Sequence, residues 1–332
     1  MSRNATNQLL QKAKKSKSDE FYTQLSDISS ELRHYKEHFK GKTVYCNCDD
    51  PYTSNFFRYF ASNFHSLELK KLIASCYRES EMDLFHTEET EKGFFCEYTG
   101  TEEEKACLEP HNIIHFKGNG DFRSAECLEL LKQSDIVVTN PPFSLFREYV
   151  AQLIKYDKKF LIIGNINAIT YKEIFELIQE NKVWLGVNLG RGISGFIVPD
   201  HYSLYGTEVK VDGQGNNIVA TNNCLWLTNL ELAQRHEDIE LTNEYYGNED
   251  KYPKYDNCEG INVSKTQDIP NDYFGLMGVP ITFLHKFNPD QFEIVRFRKG
   301  DDGKDLSVGG KCPYFRILIR NKRIEAKQAA VS

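Results

Sequence analysis

The chain has 332 residues, 40% hydrophobic and 13% aromatic, which is apolar material for one or two packed domains and excludes a mostly disordered chain. A net charge of −7 excludes a protein that coats nucleic acid indiscriminately. No apolar run approaches the ~18 residues of a membrane span, and the start MSRNATNQLLQKAKKSKSDE lacks the apolar stretch of a secretory signal, so a cytoplasmic protein without membrane contact is expected.

Residues 1–40 begin as a basic segment. Arg3, Lys12, Lys14, Lys15 and Lys17 stand with no acid between positions 3 and 17, a charge pattern suited to phosphate contact. Ile28, Leu32, Tyr35 and Phe39 then recur at helical spacing within Ser26–Phe39, and Gly41 ends the helix. From 41 to 234 strands alternate with helices. Thr43–Cys48 reads as a strand and Ser54–Phe64 as a helix; Leu72–Tyr77 reads as a second strand. Residues 79–109 carry eleven acids against two lysines and read as an acidic surface insertion. Strand Asn112–Phe116 and helix Ser124–Lys132 follow, then strand Asp135–Thr139 and helix Leu145–Ile154, for which Ser144 offers a cap. Strand Phe160–Gly164, helix Tyr171–Glu180 and strands Val183–Leu189 and Cys224–Leu230 complete the region. The apolar runs Ile136-Val137-Val138 and Leu161-Ile162-Ile163 match strands covered on both faces, so the region is expected to be a doubly wound α/β domain with a parallel sheet. Residues 235–323 are polar and Tyr- and Asn-rich, with short β-like runs and a basic end that carries nine Lys or Arg against three Asp over 296–323; they read as a smaller, irregular α+β unit, followed by a tail at 324–332.

Three patterns are set aside. The nine cysteines are odd in number and contain no CxxC, which argues against a disulfide framework or structural zinc; Cys46 and Cys48 read as buried thiols on one strand face. The pairs His34/His38 and His111/His115 have HxxxH spacing without a third ligand, so no metal is expected. Gly190-Arg191-Gly192-Ile193-Ser194-Gly195 satisfies GxGxxG, but the next residues look extended, whereas a dinucleotide fingerprint opens a helix.

The most specific feature is Thr139-Asn140-Pro141-Pro142-Phe143, directly after an expected buried strand. Ligands of open α/β sheets bind at the carboxyl ends of strands. Two prolines stiffen the loop and leave carbonyl oxygens without competing N–H donors. The Asn140 side-chain oxygen and the Pro141 backbone oxygen are two acceptors for the two hydrogens of one exocyclic amino group. Phe143 offers a flat face on which a purine can stack. In duplex DNA that amino group is buried in the stack, so the base would have to be flipped out.

An Asn-Pro-Pro-Phe loop in this position resembles the catalytic motif of S-adenosylmethionine-dependent amino methyltransferases. The stretches VYCNCDDP, GDFRS, SDIVVTNPPFSLFREY, SGFIVPDHY, NNCLWLTNL, VPITFLHKFNP and GKCPYFRILI are similar to the EcoRI-type adenine-N6 DNA methyltransferases, and the likeness runs from residue 3 to about 323. The resemblance implies a Rossmann-like catalytic sheet over 41–234 and a target-recognition region over 235–323. It implies S-adenosyl-L-methionine as methyl donor, double-stranded DNA as partner, and GAATTC as the site, methylated on its second adenine. A cognate restriction endonuclease would share that site without binding the enzyme. A monomer suffices, because each strand can be modified in a separate visit.

Carried over by position, Phe21 and Thr23 in Asp19–Thr23 would contact the cofactor, although a segment leading into the helix is an equal reading. Asp49-Asp50-Pro51 stands where the family usually has a glycine-rich loop, and Asp49 or Asp50 would hold the methionine amino group. Asp121 would accept from the cofactor's adenine amino group, with Phe122 packed on its ring. No acid is assigned to the ribose, since Glu79 comes late. Lys12, Lys14, Lys15 and Lys17 would contact phosphates; Asn223, Arg296, Arg298 and Arg316 are candidate base readers, because Asn and Arg suit adenine and guanine edges. The same loop chemistry would serve a methyltransferase of RNA or of a protein glutamine amide, or survive in an inactive DNA-binding module. The full-length likeness favours the DNA enzyme.

Overall fold

The computed structural model describes residues 22–78, 92–101, 104, 110, 112–189, 194–198, 209–211, 215, 217–219, 223–298, 306–312 and 315–324. The chain divides into two compact units, residues 1–168 with 185–230, and 169–184 with 231–332.

In the first unit the elements in chain order are β1 (Tyr22–Thr23), α1 (Leu25–Leu32), β2 (Thr43–Asn47), α2 (Asn55–Ser62), β3 (Lys71–Cys76), β4 (Phe94–Tyr98) and β5 (Ile114–His115), then α3 (Ala125–Gln133), β6 (Ile136–Thr139), α4 (Phe146–Lys155) and β7 (Lys159–Asn165). After α5 (Lys172–Gln179), which groups with the second unit, come β8 (Trp184–Leu189), β9 (Phe196–Val198), β10 (Val209–Val211), β11 (Asn217–Val219) and β12 (Cys224–Thr228). The main sheet has the order β5-β4-β3-β2-β6-β7-β12-β8. Its four central strands, β3, β2, β6 and β7, are parallel. Every residue of β2, β6 and β12 is buried, as expected for strands covered on both faces. Phe56, Phe57 and Phe60 on α2 supply much of one cover: Phe56 meets Trp226 of β12 edge-on at 6.0 Å, Phe57 meets Tyr98 at 6.1 Å, and Phe60 meets Phe39 at 5.1 Å. Each such ring stabilises the unit by about 1.5–3 kcal/mol.

Two expectations are corrected here. The sheet is mixed, because β12 runs antiparallel to β7 and β4 antiparallel to both β3 and β5. Residues 79–109 are also more than a surface insertion. Their segment Phe94–Tyr98 is a strand of the sheet itself, with Phe94, Cys96 and Tyr98 buried in alternation. Acidic residues flank it and hide that period of two in the composition.

A small sheet of order β1-β9-β11-β10 also belongs to the first unit. Ser194-Gly195, the end of the GxGxxG pattern, leads into strand β9 and not into a helix. It is clasped by α1: Asp27 accepts from the Ser194 N–H at 2.8 Å, and Gln24 Nε2 donates to the Gly195 carbonyl at 3.0 Å. Residues 190–193 lie outside the described residues.

The second unit holds β13 (Gly260–Asn262), β14 (Leu276–Pro280), β15 (Phe292–Arg298) and β16 (Arg316–Asn321), in the order β13-β14-β16-β15. Helix α5, expected to cover the catalytic sheet, packs instead on β15. Phe175 stacks on Phe297 at 4.9 Å, and Gln179 Nε2 donates to the Val295 carbonyl at 2.8 Å. No helix among the described residues is long and apolar enough to cross a membrane.

Candidate active site

Because β2, β3 and β6 are parallel, their carboxyl ends share one edge of the sheet, and Asp49, Asp50, Asn140, Pro141 and Phe143 lie on the loops that leave this edge. At the end of β2 the chain turns at Cys48, whose φ of +64° lies in the left-handed region that favours glycine. The bend expected of a glycine-rich loop is thus made by a cysteine. Cys48 is half-buried beyond the strand end, so it does not share the β2 face with Cys46.

Asp49 follows, and its carboxyl is bound on both sides. Oδ1 accepts from Ser54 Oγ at 3.0 Å, and Oδ2 lies 2.5 Å from Thr139 Oγ1. Ser54 also caps α2, accepting from the N–H groups of Phe56 and Phe57. Desolvation pushes the Asp49 carboxyl up to about 7, outweighing these two hydrogen bonds, which act the other way. Asp50 is spent differently: it accepts from the Tyr52 N–H at 2.9 Å and pairs with Arg78 at 3.3 Å. Of the two acids, Asp49 is the one without a cationic partner among the described residues.

The raised carboxyl has a consequence for stability. Unfolded, Asp49 titrates near 3.8; folded, near 7. Below pH 4 both states are protonated. Between pH 4 and 7 the unfolded chain ionises while the folded one retains its proton, so stability falls across this window and stays lower above it. Asp49→Asn keeps a donor toward Thr139 and cannot ionise. In urea unfolding of the donor-free protein, the variant should match the wild type near pH 4 and exceed it increasingly up to pH 7. An equal difference at every pH would show that Asp49 is not held neutral.

At the end of β3, the segment Gly118–Asp121 crosses the sheet edge. Gly120 has φ +79°, and a Cβ there would lie 2.5 Å from the Cys76 carbonyl oxygen. Asp121 comes next and is tied to Arg123, with Oδ1 accepting from Nε at 2.9 Å and Oδ2 from Nη2 at 2.6 Å. The guanidinium holds the Asp121 carboxyl below its usual range. Phe122 departs from its expected role. Its ring is 3% exposed, meets Tyr149 edge-on at 5.0 Å and has the Arg123 guanidinium over it at 5.3 Å, so protein occupies the surface expected to face a cofactor ring.

At the end of β6, Thr139 is fully buried and Asn140 half-buried. Pro141 is buried, and Pro142 starts a 3-10 turn over Phe143–Leu145, closed by the Leu145 N–H donating to the Pro142 carbonyl at 3.0 Å. Helix α4 starts only after this turn, with Leu145 at its N-cap position and Ser144 inside the turn. The Phe143 ring meets Phe196 of β9 at 6.2 Å. Phe196 pairs with Thr23 in β1, and the Thr23 carbonyl accepts from Asn55 Nδ2, at the start of α2, at 2.8 Å. Thr23, Asp49 and Phe143 are thereby joined through neighbouring residues.

The edge suits a cationic, hydroxyl-bearing ligand. Thr23 Oγ1 and Asn47 Nδ2 are buried without a hydrogen-bond partner among the described residues, near the half-buried Asp49 carboxyl, which desolvation keeps neutral at mild acid pH. Sequence reasoning missed Asn47, Ser54 and Thr139. Asn47 and Thr139 end buried strands and Ser54 precedes a helix, which are the positions where polar residues in such a sheet face a ligand. Among the described residues no group of three metal-ligating side chains occurs.

The other expected site residues fall elsewhere. Phe21, Lys12, Lys14, Lys15, Lys17 and Glu79 lie outside the described residues. Asn223 is half-buried just before β12, and its carbonyl accepts from the Ile166 N–H at 2.6 Å. In the second unit Arg296 is exposed at a register shift of β15, and Arg298 is paired with Arg316 across β15–β16. Arg316 Nε donates to Asn262 Oδ1 at 3.0 Å, which also accepts from Tyr255 OH at 3.0 Å.

No solved structure matches the chain significantly. The type II methyltransferase M.EcoRI of Escherichia coli is 66% identical over 325 residues, covering 98% of this chain and all of that protein. The type II methyltransferase M.MpnI of Mycoplasma pneumoniae is 39% identical, covering 94% of this chain and 98% of its own. The family model for the adenine-specific methyltransferase EcoRI matches residues 9–322. The chain therefore belongs to the EcoRI family of adenine-specific methyltransferases and is a site-specific adenine DNA methyltransferase.

Proposed function

We propose that the protein transfers a methyl group from S-adenosyl-L-methionine to N6 of the second adenine of GAATTC in double-stranded DNA, and so protects that site from a restriction endonuclease it does not bind. When bound, the donor supplies an electrophilic methyl on a cationic sulfur. Asn140 Oδ1 and the Pro141 carbonyl accept the two hydrogens of the flipped adenine's amino group and aim its lone pair at that methyl. Phe143 stacks on the base. Asp49 holds the donor's amino group, Thr23 and Phe21 are further donor contacts, and Asp50 keeps Arg78 beside the loop. Asp121, fixed by Arg123, accepts from the donor's adenine amino group, while Phe122 anchors this segment in the core against Tyr149. No strong base is needed, since the product nitrogen can lose its proton after attack; orientation and exclusion of water carry the rate.

The observation that carries this reading is the joining of the two loops at one contact, Asp49 to the buried Thr139, the residue before Asn140. Lys12, Lys14, Lys15 and Lys17 take phosphates, while Asn223, Arg296, Arg298 and Arg316 read bases. The enzyme acts as a cytoplasmic monomer.

The test is methyl transfer from labelled S-adenosylmethionine to two duplexes, one containing GAATTC and one scrambled. N6-methyladenine should form only in the first; equal label in both would refute the site. Lys14→Ala with Lys15→Ala should weaken binding equally on all sequences and reduce the slope of log affinity against log salt by about 2. An unchanged slope removes this cluster from the phosphate contacts.

A further inference from the structure

The cofactor loop and the catalytic loop meet at the Thr139 hydroxyl. Thr139 is fully buried, and its Oγ1 touches two oxygens, the Asn47 carbonyl and Asp49 Oδ2. A hydroxyl has one proton, and the Asn47 carbonyl can only accept. While Thr139 donates to Asn47, the 2.5 Å contact with Asp49 needs the proton to be on Asp49. When Asp49 is ionised, Thr139 must turn its proton to the carboxylate and release Asn47. Without a cation at the site, burial favours the first arrangement.

We propose that Thr139 is a positioning residue that couples donor binding to proton release: its hydroxyl supports Asp49 as a neutral acid before binding and as a carboxylate afterwards. This rests on the reading that Asp49 holds the donor's amino group. The balance is simple. The Asp49 O–H bond breaks, its proton passes to the buffer, and the carboxylate pairs with the docked ammonium group. The groups facing Asp49 leave this step to it. Cys46 on β2, Cys48 on its own loop and Tyr149 on α4 are all raised by burial and stay neutral, Ser54 at the cap of α2 donates to the other oxygen, and Asp50 is paired with Arg78.

The test is titration calorimetry of the full chain with S-adenosylmethionine at pH 6.0, in two buffers of different ionisation enthalpy. At that pH the donor's α-amino group is protonated, and a carboxyl titrating near 7 is about nine-tenths protonated. The wild type should release about 0.9 proton per donor bound. Asp49→Asn should bind more weakly and release none. Thr139→Val should bind about tenfold more weakly, with half-maximal release moved up by about one pH unit. Thr139→Ser should remain within about twofold of the wild type. In turnover, Thr139→Val should raise KM for the donor about tenfold and change kcat by less than about threefold. Should Thr139→Val not fold, Thr139→Ala takes its place. Wild-type affinity and proton release in the hydroxyl-less variant would overturn the role of Thr139 and leave Asp49 standing. Wild-type affinity in Asp49→Asn would overturn the reading of Asp49 itself, and no proton release by the wild type would overturn the coupling.

Discussion

Asn140→Ala should lower methyl transfer by about 10³-fold or more while leaving donor affinity within about threefold. The change removes one of two acceptors that fix the target nitrogen. A single preorganised polar group at a reacting centre is worth about a hundred- to a thousandfold, and here the loss also frees the amino group to rotate back into conjugation with its ring. Asn140 is half-buried at the mouth of the loop, where Pro141 and Pro142 fix the backbone and a 3-10 turn follows at Phe143–Leu145. Folding should therefore be nearly unaffected. Single-turnover kinetics with calorimetry of donor binding separates the two effects. Turnover within tenfold of the wild type would remove Asn140 from the mechanism.

Gly120→Ala should be the most destructive small substitution at the site. The residue has φ +79°, which costs an L-residue about 1–2 kcal/mol. Its Cβ would also lie 2.5 Å from the Cys76 carbonyl oxygen, a backbone atom that moves only if the end of β3 moves. We expect a total destabilisation of about 3 kcal/mol or more, and weaker donor binding because Asp121 is carried on the same segment. Gly41→Ala is the internal control. It has φ +68° but nothing within 4 Å of the new Cβ, so it should pay only the conformational part. Equal losses in the two variants, read from urea unfolding, would mean that the loop yields and the Cys76 contact decides nothing.

Much of the catalytic unit is legible in the chain. β2, β3, β6 and β7 announce themselves as apolar runs, α2, α3 and α4 as apolar stripes, and the expected elements lie within a few residues of those observed. The Asn140–Phe143 loop is legible because its chemistry is local: two prolines, a carboxamide and a ring in succession. Phe122 was read by position in a motif, and the structure turns its ring into the core because Tyr149, on α4, supplies an apolar partner that no motif records. Strand β4 was hidden by the acids around it, although its buried residues alternate cleanly once paired with β3.

By itself the chain determines its local periods, its turns and the reactive loop, and its likeness to known sequences supplies the family. Those are properties of neighbours within a few residues. Only the tertiary structure decides that β12 runs antiparallel to β7, that α5 packs on Phe297 in the second unit, and that Thr139 meets Asp49 across 90 residues of chain. Strand direction and partner depend on which distant segments exclude water from each other. A carboxyl's charge depends on how far that exclusion strips it of water, so the raised Asp49 carboxyl is a property of the packed sheet edge and not of the Asp-Asp-Pro sequence that carries it.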